Sequence, residues 1–160
     1  MQSSEPVSIR QLSASDLTLM EGLLAIFGEA FDEVDTYSSS RPSNAYLKRL
    51  LSSDYVIALA ALKNGLIVAG LAAYELQKFE QERSEIYIYD LAVSAAHRRE
   101  GIATALIQNL KKIAVARAAS VIFVQADIED DPAIALYTKL GAREDVLHFD
   151  IAVTVSDENA

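Results

Sequence analysis

The hydrophobic and polar positions of the chain change period several times. Val7 to Leu12 alternates apolar and polar residues and predicts a short first strand. Leu17, Met20, Leu23, Leu24, Phe27 and Phe31 recur at helical spacing, so Asp16 to Phe31 reads as an amphipathic helix, with Ser13 and Ser15 available as caps. The stretch from Asp32 to Pro42 carries three carboxylates among turn-forming residues and reads as a loop; a shorter helix, Ser43 to Leu51, follows. From Tyr55 two apolar runs flank Asn64-Gly65, the dipeptide that most favours a tight hairpin. Ser84 to Val93 is a third long strand, rich in aromatic and β-branched residues. A helix from Gly101 to about Arg117, a buried-type strand Val121 to Gln125, and a helix opened by Asp131-Pro132 and closed at Gly141 come next. Val146 to Val153 alternates again and predicts a last strand.

The predicted order is therefore βααβββαβαβ, a single α/β domain over residues 1–155 with a polar tail at 156–160. With 160 residues, 51% of them hydrophobic, the chain is long enough to bury a core without staples. It has no cysteine, which removes disulfides, thiolate metal sites and cysteine nucleophiles. Neither His97 nor His148 lies in a metal-ligand cluster, so no metal is expected. No membrane-length apolar run and no signal-peptide pattern occur, and a cytoplasmic protein is expected. The formal charge of −9, from 23 acidic and 14 basic residues, argues against a nucleic-acid surface and for a cationic or neutral partner.

One segment departs from that acidity. Asp90-Leu-Ala-Val leads into Ser94-Ala-Ala-His-Arg-Arg-Glu-Gly and then Ile102-Ala-Thr, a strand running through a basic turn into a helix. Free N–H groups at a helix start attract phosphate, Arg98 and Arg99 add positive charge, and Gly101 allows close backbone approach. On spacing alone, a solvated helix entry is an equal reading.

Arg98-x-x-Gly101-x-Ala103 after a Leu-Ala-Val strand end resembles the acetyl-CoA signature of the GNAT superfamily of N-acetyltransferases. The element order also resembles that fold, a mixed central sheet of six to seven strands flanked by about four helices. The resemblance implies that Leu91, Ala92 and Val93 pair with the pantetheine amides and that Arg98, Arg99, Glu100, Gly101, Ile102, Ala103 and Thr104 hold the pyrophosphate. Further blocks, among them Phe79-Glu-Gln, Ile86-Tyr-Ile-Tyr-Asp-Leu-Ala-Val, Val124-Gln-Ala-Asp, Ala135-Leu-Tyr-Thr-Lys-Leu-Gly and His148-Phe-Asp-Ile, resemble aminoglycoside 3-N-acetyltransferases of the gentamicin type. The match is looser in the N-terminal third. The resemblance implies transfer of acetyl from acetyl-CoA to the 3-amino group of a polycationic amino sugar, a role in antibiotic resistance, and a homodimer. Another amine, such as a polyamine or a protein N-terminus, and a non-catalytic acyl-CoA-binding module are the rival readings.

Acetyl transfer needs a neutral amine, an acceptor for its proton, and an acid for the leaving thiolate. With no cysteine, direct attack is favoured over a covalent acyl-enzyme. The resemblance gives the acid to Tyr137, beside the cofactor sulfur; taken alone, Tyr137 also reads as a core tyrosine on an amphipathic helix. Strand alternation puts Glu85, Tyr87 and Tyr89 on one face and Ile86, Ile88 and Asp90 on the other. Asp90, just before the cofactor-pairing segment, is the first candidate for amine positioning or proton removal, and Glu85 the second. The competing role for Asp90 is a cap or an ion pair with Arg98 or Arg99. Asp127, Glu129 and Asp130, together with Asp32, Glu33 and Asp35, are candidates to bind substrate ammonium groups, while Asp131 is expected to cap the Tyr137 helix.

Overall fold

The computed structural model describes residues 6–39 and 41–154, and two compact units divide the chain, Met1–Gln125 and Ala126–Ala160. The first contains β1 (Ser8–Gln11), α1 (Leu17–Ala30), α2 (Asn44–Ser52), β2 (Val56–Lys63), β3 (Leu66–Gln77), β4 (Ser84–Val93), α3 (Ile102–Ala116) and β5 (Ala119–Val124). The second contains α4 (Asp131–Leu140). One π-helical turn, Asp35–Ser39, interrupts the acidic loop between α1 and α2.

The sheet has the order β1-β2-β3-β4-β5; the first four strands run antiparallel in sequence, and β5 joins β4 in parallel after the α3 crossover. The β2–β3 hairpin turns at Asn64 and Gly65 with φ of 53° and 74°, the left-handed pair that a two-residue turn matching strand twist requires. Helices cover both sheet faces. On one, Met20, Leu23 and Phe27 of α1 and Leu47 of α2 pack with Ala58, Ala60 and Ala92. The opposite parity, Ile57, Leu59, Leu71, Ala73, Ile86 and Ile88, is buried, and α3 brings Ile102, Leu106 and Leu110 to strands β2 through β5. Alanine and glycine dominate the α1 side because the helix lies close: a Cβ on Gly70 would stand 2.0 Å from Leu23 Cδ1 and 2.8 Å from the Leu59 carbonyl.

The predicted elements form with small shifts at their ends, except the last. Among the described residues the sheet has five strands rather than six to seven, and nothing after Val124 is in a strand. Val146, Leu147, Phe149, Ile151 and Val153 are exposed. Alternation states which side chains share a face; it does not supply the neighbouring edge whose N–H and C=O groups make a strand. The tail at 156–160 lies outside the described residues. Among the described residues no helix is long and apolar enough to cross a membrane.

A second correction concerns β4. Ala72 pairs with Asp90 and Ala73 with Ile88, so Tyr89 is an extra residue, a β-bulge, on β4. Before it, Ile86 and Ile88 share the α3 face; after it the parity inverts. Asp90 therefore stands with Ala72 on the α1 face, the face of Tyr87 and its partner Tyr74, and not with Ile86 and Ile88. A strict period of two cannot anticipate an inserted residue.

Candidate active site

The bulge leaves two features on adjacent stretches of one strand. Pairing of β4 with β5 ends at Ile88 opposite Val124, so among the described residues β4 is paired from Asp90 to Val93 on its β3 side only. The backbone of Leu91, Ala92 and Val93 thus borders an open edge that an extended amide-containing ligand can complete as an added strand. Beyond it, the turn Ala95–His97 leads to Arg99 at φ 62° and Gly101 at φ 76°, and α3 begins at Ile102. Arg99 is a non-glycine residue in the left-handed region, which costs about 1 kcal/mol and is typical of backbone shaped for a ligand.

No side chain caps α3, and its first intrahelical bond runs from the Ala105 N–H to the Gly101 carbonyl. The N–H groups of Ile102, Ala103 and Thr104 are therefore outside the helical ladder and point toward the turn. Space around Gly101 is open: a Cβ there would meet nothing within 4 Å. Arg98 and Arg99 are exposed, and neither forms an ion pair among the described residues. Glu100 instead lies 3.5 Å from the Lys63 ammonium and 3.3 Å from His97 Nδ1. These residues fit a pyrophosphate: unclaimed backbone donors, the positive end of a helix dipole and two unpaired guanidinium groups.

Asp90 is half-buried on the α1 face and accepts a 3.3 Å hydrogen bond from the Tyr37 hydroxyl at Oδ1. Burial pushes its carboxyl above the usual value; Tyr37's hydrogen bond opposes that, and the charge of Glu33 adds to it. Asp90 forms no ion pair with Arg98 or Arg99. The second carboxylate, Glu85, shares the Tyr87 face but lies near the start of β4, at 3.3 Å from Arg83 and 3.8 Å from Lys78. It is thus engaged in a charge cluster roughly 16 Å along the strand from Asp90.

An aromatic group surrounds Asp90 that the motif pattern does not single out. Tyr87 stacks on Phe123 with centroids 4.6 Å apart, and Tyr89 meets both Tyr87 and Tyr74 edge-on at 5.6 and 6.0 Å. Tyr87 donates to Gln125 at 2.9 Å. The signal existed as the Tyr87–Tyr89 alternation, but the contribution of Tyr74 required strand register, and that of Tyr37 a contact across 53 residues. Of the first-loop acids, Asp32 is exposed with φ 54°, Asp35 opens the π-helical turn, and Glu33 acts on Asp90 through its charge.

In the second unit, Asp127, Ile128, Glu129, Asp130 and Pro132 line a shallow acidic depression. Asp130, not Asp131, caps α4: its Oδ1 accepts from the Ala133 N–H at 3.1 Å. With Pro132 in the first turn, the residue two before it has the non-helical backbone that a cap needs, which shifts the expected position by one. Asp131 remains as a favourable charge in the first turn. Tyr137 is half-buried on α4, its hydroxyl pushed up to about 12 by desolvation and by the charge of Asp130. His148 is exposed and 2.8 Å from Asp150.

A mixed sheet that opens beside a bulge and leads into a basic turn at a helix N-terminus is the arrangement that the resemblance to N-acetyltransferases implies. Residues 20–142 match the family model "Acetyltransferase (GNAT) family", and the chain belongs to that family: it is an acetyl-CoA-dependent acyltransferase. An aminoglycoside acetyltransferase from an uncultured soil metagenomic sample is 68% identical, with a TM-score of 0.91 over 93% of this chain and 99% of that one. A second aminoglycoside acetyltransferase of soil metagenomic origin, solved in complex with sisomicin, is 31% identical, with a TM-score of 0.86 over 92% of this chain and 97% of that one. A ribosomal-protein-alanine N-acetyltransferase from Brucella melitensis biovar Abortus 2308 is 26% identical, with a TM-score of 0.73 over 93% of this chain and all of that one. No curated protein matches the chain.

Proposed function

We propose that the chain is an aminoglycoside 3-N-acetyltransferase, moving acetyl from acetyl-CoA to the 3-amino group of gentamicin-like antibiotics as a cytoplasmic, homodimeric resistance enzyme with one catalytic domain over residues 1–155. The observation that carries this reading is the 68% identity, across nearly the whole of both chains, to an aminoglycoside acetyltransferase.

In this reading Leu91, Ala92 and Val93 hold the pantetheine arm along the open edge of β4. Arg98 through Thr104 hold the pyrophosphate, with Glu100 contributing backbone only, since its carboxylate is paired with Lys63 and His97. Acetyl-CoA supplies the activated acyl group. Asp90 accepts the proton of the attacking amine, a role favoured by a carboxyl whose affinity for protons is raised by burial. Glu85 is the weaker candidate because Arg83 and Lys78 already neutralise it. Tyr137 is the acid for the departing thiolate; with a hydroxyl titrating at about 12 it stays protonated throughout the working range. Asp32, Asp35, Asp127, Glu129 and Asp130 are assigned to the remaining ammonium groups of the substrate, Asp130 with only part of its carboxylate free of capping.

The test is turnover of purified enzyme with acetyl-CoA and, separately, gentamicin, spermidine and a peptide with an N-terminal alanine, with the acetylated nitrogen located by NMR. Acetylation of gentamicin at N3 is expected, and Asp90→Asn is expected to lower kcat/KM at least 100-fold. Acetylation of the peptide or spermidine alone would overturn the substrate assignment. An unchanged rate in Asp90→Asn would remove Asp90 from the chemistry.

A further inference from the structure

The Tyr37 hydroxyl reaches Asp90 because an entire turn is docked for it. Its ring lies edge-on to buried Phe27 of α1 at 6.2 Å and tilted to Phe31, the residue that ends that helix, at 6.1 Å. Gly28 makes room: a Cβ there would stand 3.0 Å from Tyr37 Cβ and 3.4 Å from Val34 Cα. The Glu33 N–H donates to the Gly28 carbonyl at 2.8 Å, and the Tyr37 N–H to the Glu33 carbonyl at 3.1 Å. Backbone, ring and glycine contacts thus converge on one position for the phenol.

The other groups that act on Asp90 or are acted on by it are Glu33 of the same loop, Tyr74 of β3, and Tyr87 of β4, with Tyr89 beside it in sequence. None of these is a cation, and no lysine, arginine or histidine among the described residues helps to hold Asp90's charge. A half-buried carboxylate in such a setting protonates early and is free to rotate unless a neutral donor holds it.

We infer that Tyr37 is a positioning residue for the reaction: by donating to Asp90 Oδ1 it fixes the carboxylate in one orientation and in its ionised form, leaving Oδ2 for the amine proton. The inference rests on Asp90 as proton acceptor. In the step concerned, the nitrogen lone pair forms the bond to the acetyl carbon and the carbonyl π pair moves to oxygen. The N–H proton passes to Oδ2, and the C–S bond breaks as the carbonyl re-forms, with the pair leaving on sulfur. Tyr37 keeps its proton throughout, as a hydroxyl pushed up to about 12 by burial and by Asp90 must. Phenylalanine is the natural replacement, since it preserves the ring contacts and removes only the donor.

The experiment compares wild type, Tyr37→Phe, Gly28→Ala and Asp90→Asn, each checked for folding by circular dichroism. Readouts are kcat/KM for gentamicin against pH and the 13C NMR titration of the Asp90 carboxyl in the resting enzyme. Asp90 acts ionised, so activity falls as pH drops through its pKa; without the donor that pKa rises. Tyr37→Phe is expected to shift both the acid limb and the NMR titration upward by about one pH unit and to lower kcat about tenfold. Gly28→Ala, which displaces the turn, is expected to shift them the same way and serves if Tyr37→Phe does not fold. An unmoved or downward-moved titration in folded Tyr37→Phe overturns the inference even where Asp90→Asn is inactive. A fully active Asp90→Asn would instead show that the reading of Asp90 itself had failed.

Discussion

Glu75 is the residue on which three parts of the first unit converge. Its Oε1 accepts from Arg117, at the end of α3, at 2.8 Å, and its Oε2 from the Ser84 hydroxyl, at the start of β4, at 2.6 Å. Arg117 in turn donates to the Asp54 carbonyl ahead of β2. Burial alone would raise this carboxyl, but the hydrogen bonds from Ser84 and Arg117 outweigh it and hold Glu75 below its ordinary value. A carboxylate depressed on folding contributes stability above its unfolded pKa and loses that contribution as pH falls through the folded one. Glu75→Gln is therefore expected to destabilise the protein by about 1–3 kcal/mol at pH 7. The difference from wild type should shrink below about pH 4. Urea melts across that range measure it; a difference independent of pH would mean that the charge is not what Arg117 recognises.

At the scale of elements, the approach of α1 to β3 is set by Gly70. Gly70→Ala forces a Cβ into fully buried Leu23 and against a backbone carbonyl that cannot give way, and is expected to cost about 1–3 kcal/mol in denaturant unfolding. A melt like wild type would show that α1 shifts freely. The same scale shows what sequence patterns could and could not deliver. The α1 and α3 stripes and the Asn64-Gly65 hairpin were legible because each is a local rule about spacing or φ. The placement of Asp90 was not, since one inserted residue at Tyr89 inverts the face of everything after it. Tyr37 was not either: its partner lies 53 positions away, and the loop between α1 and α2 has no period to extrapolate. The Val146 to Val153 alternation misled for a related reason, because pairing depends on an edge elsewhere.

For the molecule as a whole, 23 acidic against 14 basic residues set a field that attracts cations, with Arg98 and Arg99 as a local patch of the opposite sign. Screening weakens such attraction between exposed groups once the Debye length falls to a few ångströms. With a polyamino sugar as acceptor, KM is expected to rise several-fold between about 0.05 and 0.5 M NaCl, with kcat little changed. Steady-state kinetics at fixed, saturating acetyl-CoA measures this. A KM indifferent to salt would assign the acidic surplus to solubility rather than to capture.

The extra residue at Tyr89 also separates two differently constrained stretches of a single strand. Upstream of it, β4 answers to the packing of α3, where Ile86 and Ile88 can be exchanged for other apolar residues of similar volume. Downstream, the inverted parity sets Asp90 on the α1 face, and the described pairing of β4 is with β3. Because the bulge breaks the register between the halves, drift in the first does not rotate the second. An engineer redesigning either half should hold the residue count between Ile88 and Asp90 constant.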